Sequence, residues 1–218
     1  MVQRFADIFF LVDSSLSSGD FKQTQTLLSR LTTELNIGAS AHRIGLAQFS
    51  RDVSVDFHLN AYKTKAKTKA AVHRFRLRSV QPNEPRNLGH ALQTASSNFF
   101  TSAVGGRQEQ GFGQFLVVVT GGNSSDAVIK ASRLLKSQGV KVVEIVLGST
   151  PEGEMRRVWK VMEMALGEAG ERYRSRVTEE LQTPRKATNT QLKALFETED
   201  EASIITEGEN PCNLLLFM

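Results

Sequence analysis

The sequence predicts an α/β fold with a doubly wound, mostly parallel sheet and one antiparallel edge strand. Apolar runs recur along the first 148 residues, and segments with helical spacing separate most of them. The runs are nearly continuous in apolar character, which is typical of strands buried on both faces of a parallel sheet. Two runs, 42–50 and 53–59, are separated only by the turn at 51–52, so they pair as an antiparallel hairpin.

The first half of this region contains a strand, a helix, the hairpin and a second helix. Residues 7–12 predict the first buried strand, and Ser17 or Ser18 can cap the helix that follows it. The apolar residues of that helix recur at helical spacing as far as Leu35, which gives it a core-facing stripe. After the hairpin, residues 62–80 predict a basic helix, because alanines lie between its lysines and favour helix.

The second half continues the alternation of helix and strand. Residues 88–100 predict a helix, 114–120 the most apolar strand of the chain, and 124–139 a capped helix that stops at Gly139. Residues 140–148 predict the next buried strand. Ligands of such sheets bind beyond the carboxyl ends of the strands. The loops that follow the first strand and the strand at 114–120 are therefore the candidate sites.

The C-terminal part of the chain differs from the rest in charge and in pattern. Residues 1–148 carry 18 Lys and Arg against 10 Asp and Glu, whereas 149–218 carry 9 against 13. Residues 152–182 predict a long amphipathic helix, 202–207 a short strand and 213–218 an apolar tail. We therefore divide the chain into a domain core, 1–148, and an atypical segment, 149–218, that completes or replaces the end of the same domain.

Composition and motifs exclude several classes of protein. No run of about 18 apolar residues is present, so we expect no membrane insertion. The N-terminus lacks a cleavable signal peptide, which predicts a cytoplasmic location if Met1 is the true start. No hydrolase motif, phosphate-binding loop or nucleic-acid-binding motif is present, so we expect no enzyme activity, no cofactor and no nucleic-acid partner. Cys212 is the only cysteine, which leaves open an inert thiol or a bridge to another chain.

The loop after the first strand carries a specific pattern of oxygen-bearing side chains. Asp13, Ser15 and Ser17 read D-x-S-x-S at the end of a buried strand. Oxygen ligands placed in this way suit a divalent cation. A purely structural role explains the same residues, because Asp13 can cap the turn into the helix while the serines bond to backbone donors.

This motif and the order of elements resemble the von Willebrand factor type A domain, a Rossmann-like fold, over residues 5–148. The stretches "QFLVVVTGGNSSDAVIKASRLLKSQGVKVVEI" and "FFTSAVGGRQEQGFGQFLVVVT" are most similar to the A domains of collagen VI alpha chains. The resemblance implies a metal-ion-dependent adhesion site built from three loops. D-x-S-x-S is the first loop, a threonine belongs to the second, and an aspartate belongs to the third.

Two of these three loops have changed in this sequence. Arg86, in "RNLGHAL", stands where the family has the threonine, and Gly121, in "TGG", stands where it has the aspartate. Gly121 brings no carboxylate, and Arg86 brings a permanent positive charge. We therefore expect a degenerate site without metal, in which Asp13, Ser15 and Ser17 are remnant ligands and the Arg86 guanidinium neutralises Asp13.

The resemblance implies a non-catalytic protein–protein interaction module of the extracellular matrix. Its expected partners are matrix proteins or other A domains, bound without a metal. Two alternatives stay open. The chain is a structural packing domain of a multidomain, collagen-like assembly, or it is a truncated intracellular A-domain protein that binds a cytoskeletal or other partner.

The basic helix predicts a second surface, with a sulfated glycosaminoglycan as its expected polyanionic ligand. Charges that alternate along a helix spread around its axis, so a solvated helix face is the alternative explanation. The residues of this surface are Lys63, Lys65, Lys67, Lys69, Arg74, Arg76 and Arg78.

Overall fold

The computed structural model describes residues 5–147 and the backbone of three further strands nearer the C-terminus. The elements of residues 5–147 are β1 (Ala6–Asp13), α1 (Ser18–Glu34), β2 (Arg43–Phe49), β3 (Val53–Phe57), α2 (Lys65–Arg74), α3 (Leu88–Asn98), β4 (Gly113–Thr120), α4 (Ile129–Ser137) and β5 (Val140–Val146). Two 3-10 helices, Ser102–Val104 and Gln108–Gln110, lie between α3 and β4. The further strands are β6 (Ala194–Thr198), β7 (Glu201–Ile204) and β8 (Leu214–Phe217).

The strands of residues 5–147 form one sheet in the order β3-β2-β1-β4-β5. β1 pairs in parallel with β2 on one side and with β4 on the other, and β4 pairs in parallel with β5. β3 lies at the edge and runs antiparallel to β2. The predicted fold class, a mostly parallel sheet with one antiparallel edge strand, is confirmed for this region.

Beyond β5 the sheet continues with β8, β6 and β7. β8 runs antiparallel to β5, and β6 runs parallel to β8. The predicted strand at 202–207 overlaps β7, and the apolar tail at 213–218 contains β8. The predicted helix over 152–182 and Cys212 lie outside the described residues. The division of the chain at residue 148 stays a prediction.

Helices cover both faces of the sheet, which explains the unbroken apolar run of β1. Ile8 and Phe10 pack in the core on the side of α1 and α2. Phe9 and Leu11 pack in a second core on the side of α3 and α4. Because successive residues of a strand point to opposite faces, a strand that is covered on both sides needs an apolar residue at every position.

The basic helix α2 is shorter than the predicted range of 62–80. The Thr64 side chain caps its start and accepts a hydrogen bond from the Lys67 N–H. Its end is fixed by Phe75, which is buried and packs edge-to-face on Phe21 of α1 with ring centroids 5.5 Å apart. Arg76 Nη1 donates to the Phe75 carbonyl oxygen at 2.7 Å, which satisfies a backbone acceptor at the end of the helix.

Helix α4 is also shorter than the predicted range of 124–139, because the residues expected to cap it bind α3 instead. The Asp126 carboxylate accepts hydrogen bonds from the Gly89 N–H at 2.7 Å and from the His90 N–H at 2.8 Å. The Ser124 hydroxyl accepts one from the Leu88 N–H at 3.1 Å. The residue that precedes α3 makes no side-chain cap of its own. The loop after β4 therefore supplies the cap of a helix that begins 36 residues earlier in the chain.

A buried ion pair lies at the opposite, amino-terminal end of β1. Asp7 and Arg107 are 0% and 3% exposed. The Arg107 guanidinium donates to Asp7 Oδ1 from Nε at 2.9 Å and from Nη2 at 2.5 Å. It also donates to the carbonyl oxygens of Ala39 and Ala41, and it lies over the ring of Phe112, 3.7 Å from the centroid. The pair therefore joins three separate segments of the chain.

Candidate functional site

The candidate site lies where the sheet topology places it, at the carboxyl ends of β1 and β4. Three loops meet there: residues 13–17 after β1, residues 84–87 before α3, and residues 120–126 after β4. β1 and β4 are neighbours, with Val12 opposite Val119 in the parallel register. The loops that follow them are consequently adjacent, although more than 100 residues separate them in the sequence.

Asp13 is the centre of this loop cluster. Its side chain is fully buried. Oδ1 accepts hydrogen bonds from the Ser15 N–H at 2.8 Å and from the Ser15 hydroxyl at 2.6 Å. Oδ2 accepts from the Gly121 N–H at 3.0 Å, from the Thr120 hydroxyl at 3.3 Å and from Arg86 Nε. Both oxygens of the carboxylate are therefore engaged by protein donors.

Arg86 connects the three loops. Its Nε forms the ion pair with Asp13, its Nη2 donates to Ser15 Oγ at 2.8 Å, and its Nη1 donates to the Asn123 carbonyl oxygen at 3.3 Å. Its backbone N–H donates to Ser125 Oγ at 3.1 Å, and its carbonyl oxygen accepts from the Ser125 N–H at 2.7 Å. The structure thus places the guanidinium beside Asp13, where the sequence predicts it.

Gly121 lies at the same centre and faces the ion pair. A Cβ atom added to Gly121 would lie 3.6 Å from Asp13 Oδ2 and 3.6 Å from Arg86 Nη2. A side chain at this position would therefore point towards the carboxylate, and the glycine contributes only its backbone N–H to it.

Ser17 has a different role from Ser15. Its hydroxyl caps α1, accepting from the Asp20 N–H at 3.1 Å and donating to Asp20 Oδ2 at 2.7 Å. Within D-x-S-x-S, Asp13 therefore holds the turn after β1 and Ser17 caps α1, whereas the Ser15 hydroxyl bonds to the side chains of Asp13 and Arg86. Among the residues that the structure describes, no group of three or more His, Cys, Asp or Glu side chains is placed to hold a metal ion.

A second network beside the site was not predicted from the sequence. Arg78 donates to Ser14 Oγ at 3.1 Å, to Ser50 Oγ at 2.5 Å and to the Asp52 carbonyl oxygen at 2.6 Å. The Ser50 hydroxyl donates to Glu84, and this hydrogen bond is the main reason that the Glu84 pKa is lowered to about 2. No local motif signals this network, because its hydrogen-bonded partners lie 26 to 64 residues apart.

The seven residues of the predicted basic surface divide into two groups. Three of them bond within the domain: Lys65 Nζ donates to the Thr33 carbonyl oxygen at 2.9 Å, while Arg76 and Arg78 make the contacts given above. Arg76 is nevertheless exposed, as are the other four residues, Lys63, Lys67, Lys69 and Arg74.

The strand order and the loop cluster define a class of protein: a Rossmann-like A domain with polar loops at the carboxyl edge of its sheet. The chain belongs to the von Willebrand factor type A domain family, whose model matches residues 7–190. The family predicted from the sequence is confirmed.

Similar curated proteins are collagen and matrilin chains. The collagen alpha-4(VI) chain of Mus musculus is 32% identical over 160 residues, which are 72% of this chain and 7% of that protein. The collagen alpha-1(XX) chain of Mus musculus is 34% identical over 69% of this chain and 11% of that protein. Matrilin-1 of Homo sapiens is 31% identical over 71% of this chain and 31% of that protein. The chain therefore spans less than a third of the length of each of these relatives.

Two solved structures of different origin have the same fold. Proximal thread matrix protein 1 from the mussel byssus has a TM-score of 0.60 at 24% identity, over 71% of this chain and 41% of that one. The manganese-loaded TRAP protein of Plasmodium vivax has a TM-score of 0.56 at 16% identity, over 72% of this chain and 63% of that one.

Proposed function

We propose that the chain is a non-catalytic protein–protein interaction module of collagen VI-like, extracellular-matrix type, and that it binds its partners without a divalent cation. Membership of the A-domain family and identity to collagen and matrilin chains support the interaction role. One observation carries the second part of the proposal: the Arg86 guanidinium bonds to both Asp13 and Ser15.

The residues at the site do not fit Mg²⁺ or Mn²⁺. A divalent cation needs about six oxygen ligands in a near-octahedral shell, usually with a carboxylate among them. Asp13 and Ser15 already bond to Arg86, and Gly121 supplies no oxygen-bearing side chain. Two like unit charges about 4 Å apart repel by about 4 kcal/mol near a protein surface, and a divalent ion doubles this repulsion. Arg86 cannot relieve it by losing its proton.

Binding of Mn²⁺ alone tests this directly. We expect millimolar Mn²⁺ to leave the amide NMR signals of Ser15 and Gly121 as sharp as those of residues remote from the site. The matched control is the double variant Arg86→Thr/Gly121→Asp. It removes the Arg86 guanidinium and adds a carboxylate that points towards Asp13. Saturable broadening of both signals in the unmodified chain would contradict the proposal, whereas broadening only in the variant would support it.

The interaction role needs a partner assay with and without metal. We expect the immobilised chain to bind purified collagen VI or isolated A domains equally well in EDTA and in MgCl₂. Binding that requires Mg²⁺ would contradict metal independence. The absence of binding under both conditions would favour the structural packing domain of a collagen-like assembly.

An intracellular A-domain protein that binds a cytoskeletal partner is the remaining alternative. Among the residues that the structure describes, no helix is long and apolar enough to cross a membrane. Immunolocalisation of the full-length gene product distinguishes the two locations. Deposition in the matrix supports the proposal, and retention in the cytoplasm supports the alternative.

A polyanion surface on α2 is a second candidate function. The sequence carries no acidic residue between Asp56 and Glu84, and Lys67, Lys69 and Arg74 are exposed. A sulfated glycosaminoglycan would bind such a surface by ion pairing and electrostatic steering.

Heparin chromatography tests this surface with a matched control. The variant Lys67→Gln/Lys69→Gln removes two charges from α2, and Lys130→Gln/Arg133→Gln removes two from α4, on the opposite face of the sheet. We expect the unmodified chain to elute above physiological salt and the α2 variant to elute markedly earlier than the α4 variant. Equal shifts, or elution of the unmodified chain at physiological salt, would leave α2 as an ordinary solvated helix face.

A further inference from the structure

A cavity of about 200 Å³ lies between the sheet and the helices α3 and α4. Its walls are mostly apolar and include Leu92 of α3, Val118 of β4, Val142 of β5 and Val128 at the start of α4. Asp13 and Arg86 do not line this cavity, but the loop after β4 contributes Gly122, Asn123 and Ser124 to it.

Glu144 is the one ionisable residue among those that line this cavity within the described part of the chain. It lies in the middle of β5, opposite Val118 in the register, and it shares a strand face with Val142. It is partly buried, and no other residue in the described part of the chain forms a hydrogen bond or an ion pair with its carboxylate. A charge held in this way is costly unless a partner compensates it. Consistent with this environment, burial raises the pKa of Glu144 to about 7.

We propose that this cavity is a binding site for a cationic group on an aliphatic stem, such as an alkylammonium or alkylguanidinium, with Glu144 as the counter-ion. Lysine and arginine side chains have this form, since they bury their methylene groups and keep a charged head. The apolar walls suit the methylene groups, and the carboxylate suits the head. The site goes beyond the proposed function, because Asp13, Ser15 and Arg86 do not line the cavity.

Other ligand classes fit the cavity less well. An anion would face the Glu144 carboxylate, and no Lys or Arg among the described lining residues would balance it. A neutral apolar ligand would fill the walls but would leave the carboxylate desolvated. Only a ligand with both an apolar stem and a positive charge can pack against the apolar walls and also pair with the Glu144 carboxylate.

The probe for this site is n-butylammonium, with n-butanol as the neutral ligand of similar shape. We expect n-butylammonium to shift the methyl NMR signals of Leu92, Val118 and Val142 saturably at about pH 8. Replacement of the carboxylate by Glu144→Gln should weaken its affinity at least tenfold, whereas the exposed control Glu109→Gln should leave it unchanged. n-Butanol should bind more weakly than n-butylammonium.

The NMR signal of the Glu144 carboxyl carbon measures the pKa of this residue directly, so this test needs no variant at position 144. Bound n-butylammonium should lower the pKa of Glu144 by at least one unit, since a nearby positive charge favours the ionised form. Binding should accordingly be weaker at about pH 5 than at about pH 8. If the probe saturates the methyl shifts and the pKa of Glu144 does not move, the proposal is overturned, whether or not Glu144→Gln folds.

A second experiment distinguishes two sources of the cationic ligand: an external molecule, or a basic side chain of this same protein. Arg156, Arg157 and Lys160 follow β5 closely in the sequence and carry the same chemistry. Binding of the probe to the unmodified chain identifies an open site. Binding only after Arg156→Gln/Arg157→Gln/Lys160→Gln identifies an internal ligand. Absence of binding in both proteins, or equal binding to Glu144→Gln, would overturn the proposal.

Discussion

At the scale of single residues, Arg86 determines the character of the site. Asp13 is buried, and the guanidinium is the only positive charge that the structure places against it in the described part of the chain. Substitution Arg86→Ala should lower the free energy of unfolding by about 2 kcal/mol, since Asp13 keeps only its neutral donors. Urea unfolding measures this loss. The exposed Arg51→Ala should cost less than about 0.5 kcal/mol, and equal losses in the two variants would show that the Arg86–Asp13 pair contributes nothing.

We expect a larger loss of stability from breaking the Asp7–Arg107 pair, because both of its partners are buried. Arg107→Ala leaves the Asp7 carboxylate without its counter-ion and should cost about 3–5 kcal/mol. Arg107→Lys should recover little of this, since one ammonium cannot reach Asp7, Ala39 and Ala41 in the geometry of a guanidinium. Denaturant unfolding of the three proteins checks both statements. Near-complete recovery by lysine would contradict the guanidinium-specific geometry.

His42 gives the domain a dependence on pH. It is buried, its Nδ1 accepts a hydrogen bond from the Ala6 N–H at 3.1 Å, and burial lowers its pKa from 6.5 to about 4. Between these two values the unfolded chain binds a proton that the folded chain does not, so stability falls as the pH drops from 6.5 to 4. The expected loss from this residue is about 3 kcal/mol. Unfolding curves for the unmodified chain and His42→Gln should converge as the pH falls, and parallel curves would contradict this assignment.

The sequence predicts some of these residues and not others, for a physical reason. Arg86 and Gly121 are found because each occupies a fixed place within a local motif. Asp7 and Arg107 are missed because 100 residues separate them and no local motif links the two charges. Ion pairs between distant segments become visible only when the strand register is known.

At the scale of secondary structure, strands were easier to predict than helix ends. The apolar runs locate all five strands of residues 5–147 to within two residues, because burial on both faces leaves a continuous signal. Gly139 follows α4 with φ +75°, which agrees with the predicted glycine stop. The start of α4 was placed five residues too early, because the Ser124–Asp126 stretch resembles a local cap but binds α3.

Asp126 therefore provides a test at this scale. Asp126→Ala should lower the free energy of unfolding by about 1 kcal/mol, as expected for the loss of a helix cap. Amide hydrogen exchange locates the effect: protection should fall at Gly89 and His90 and stay unchanged at the first turn of α4. Loss of protection at Ile129 and Lys130 instead would show that Asp126 caps the nearer helix.

At the scale of the whole molecule, the fold brings three loops together and one arginine joins them. In a parallel sheet the carboxyl ends of neighbouring strands share an edge, so β1 and β4 place Asp13 and Gly121 in contact. Arg86 then holds both loops from the start of α3. We propose that the three loops at this edge of the sheet therefore have a fixed arrangement, and that no metal ion is needed to hold it.

The midpoint of thermal unfolding in MgCl₂ and in EDTA, at equal ionic strength, tests this claim most directly. Any ion that binds the native state raises its stability, by about 2.7 kcal/mol at 100 times the dissociation constant. The account predicts the same midpoint in both buffers for the unmodified chain and a higher midpoint in MgCl₂ for Arg86→Thr/Gly121→Asp. A saturable rise in the unmodified chain that Asp13→Asn abolishes would contradict it.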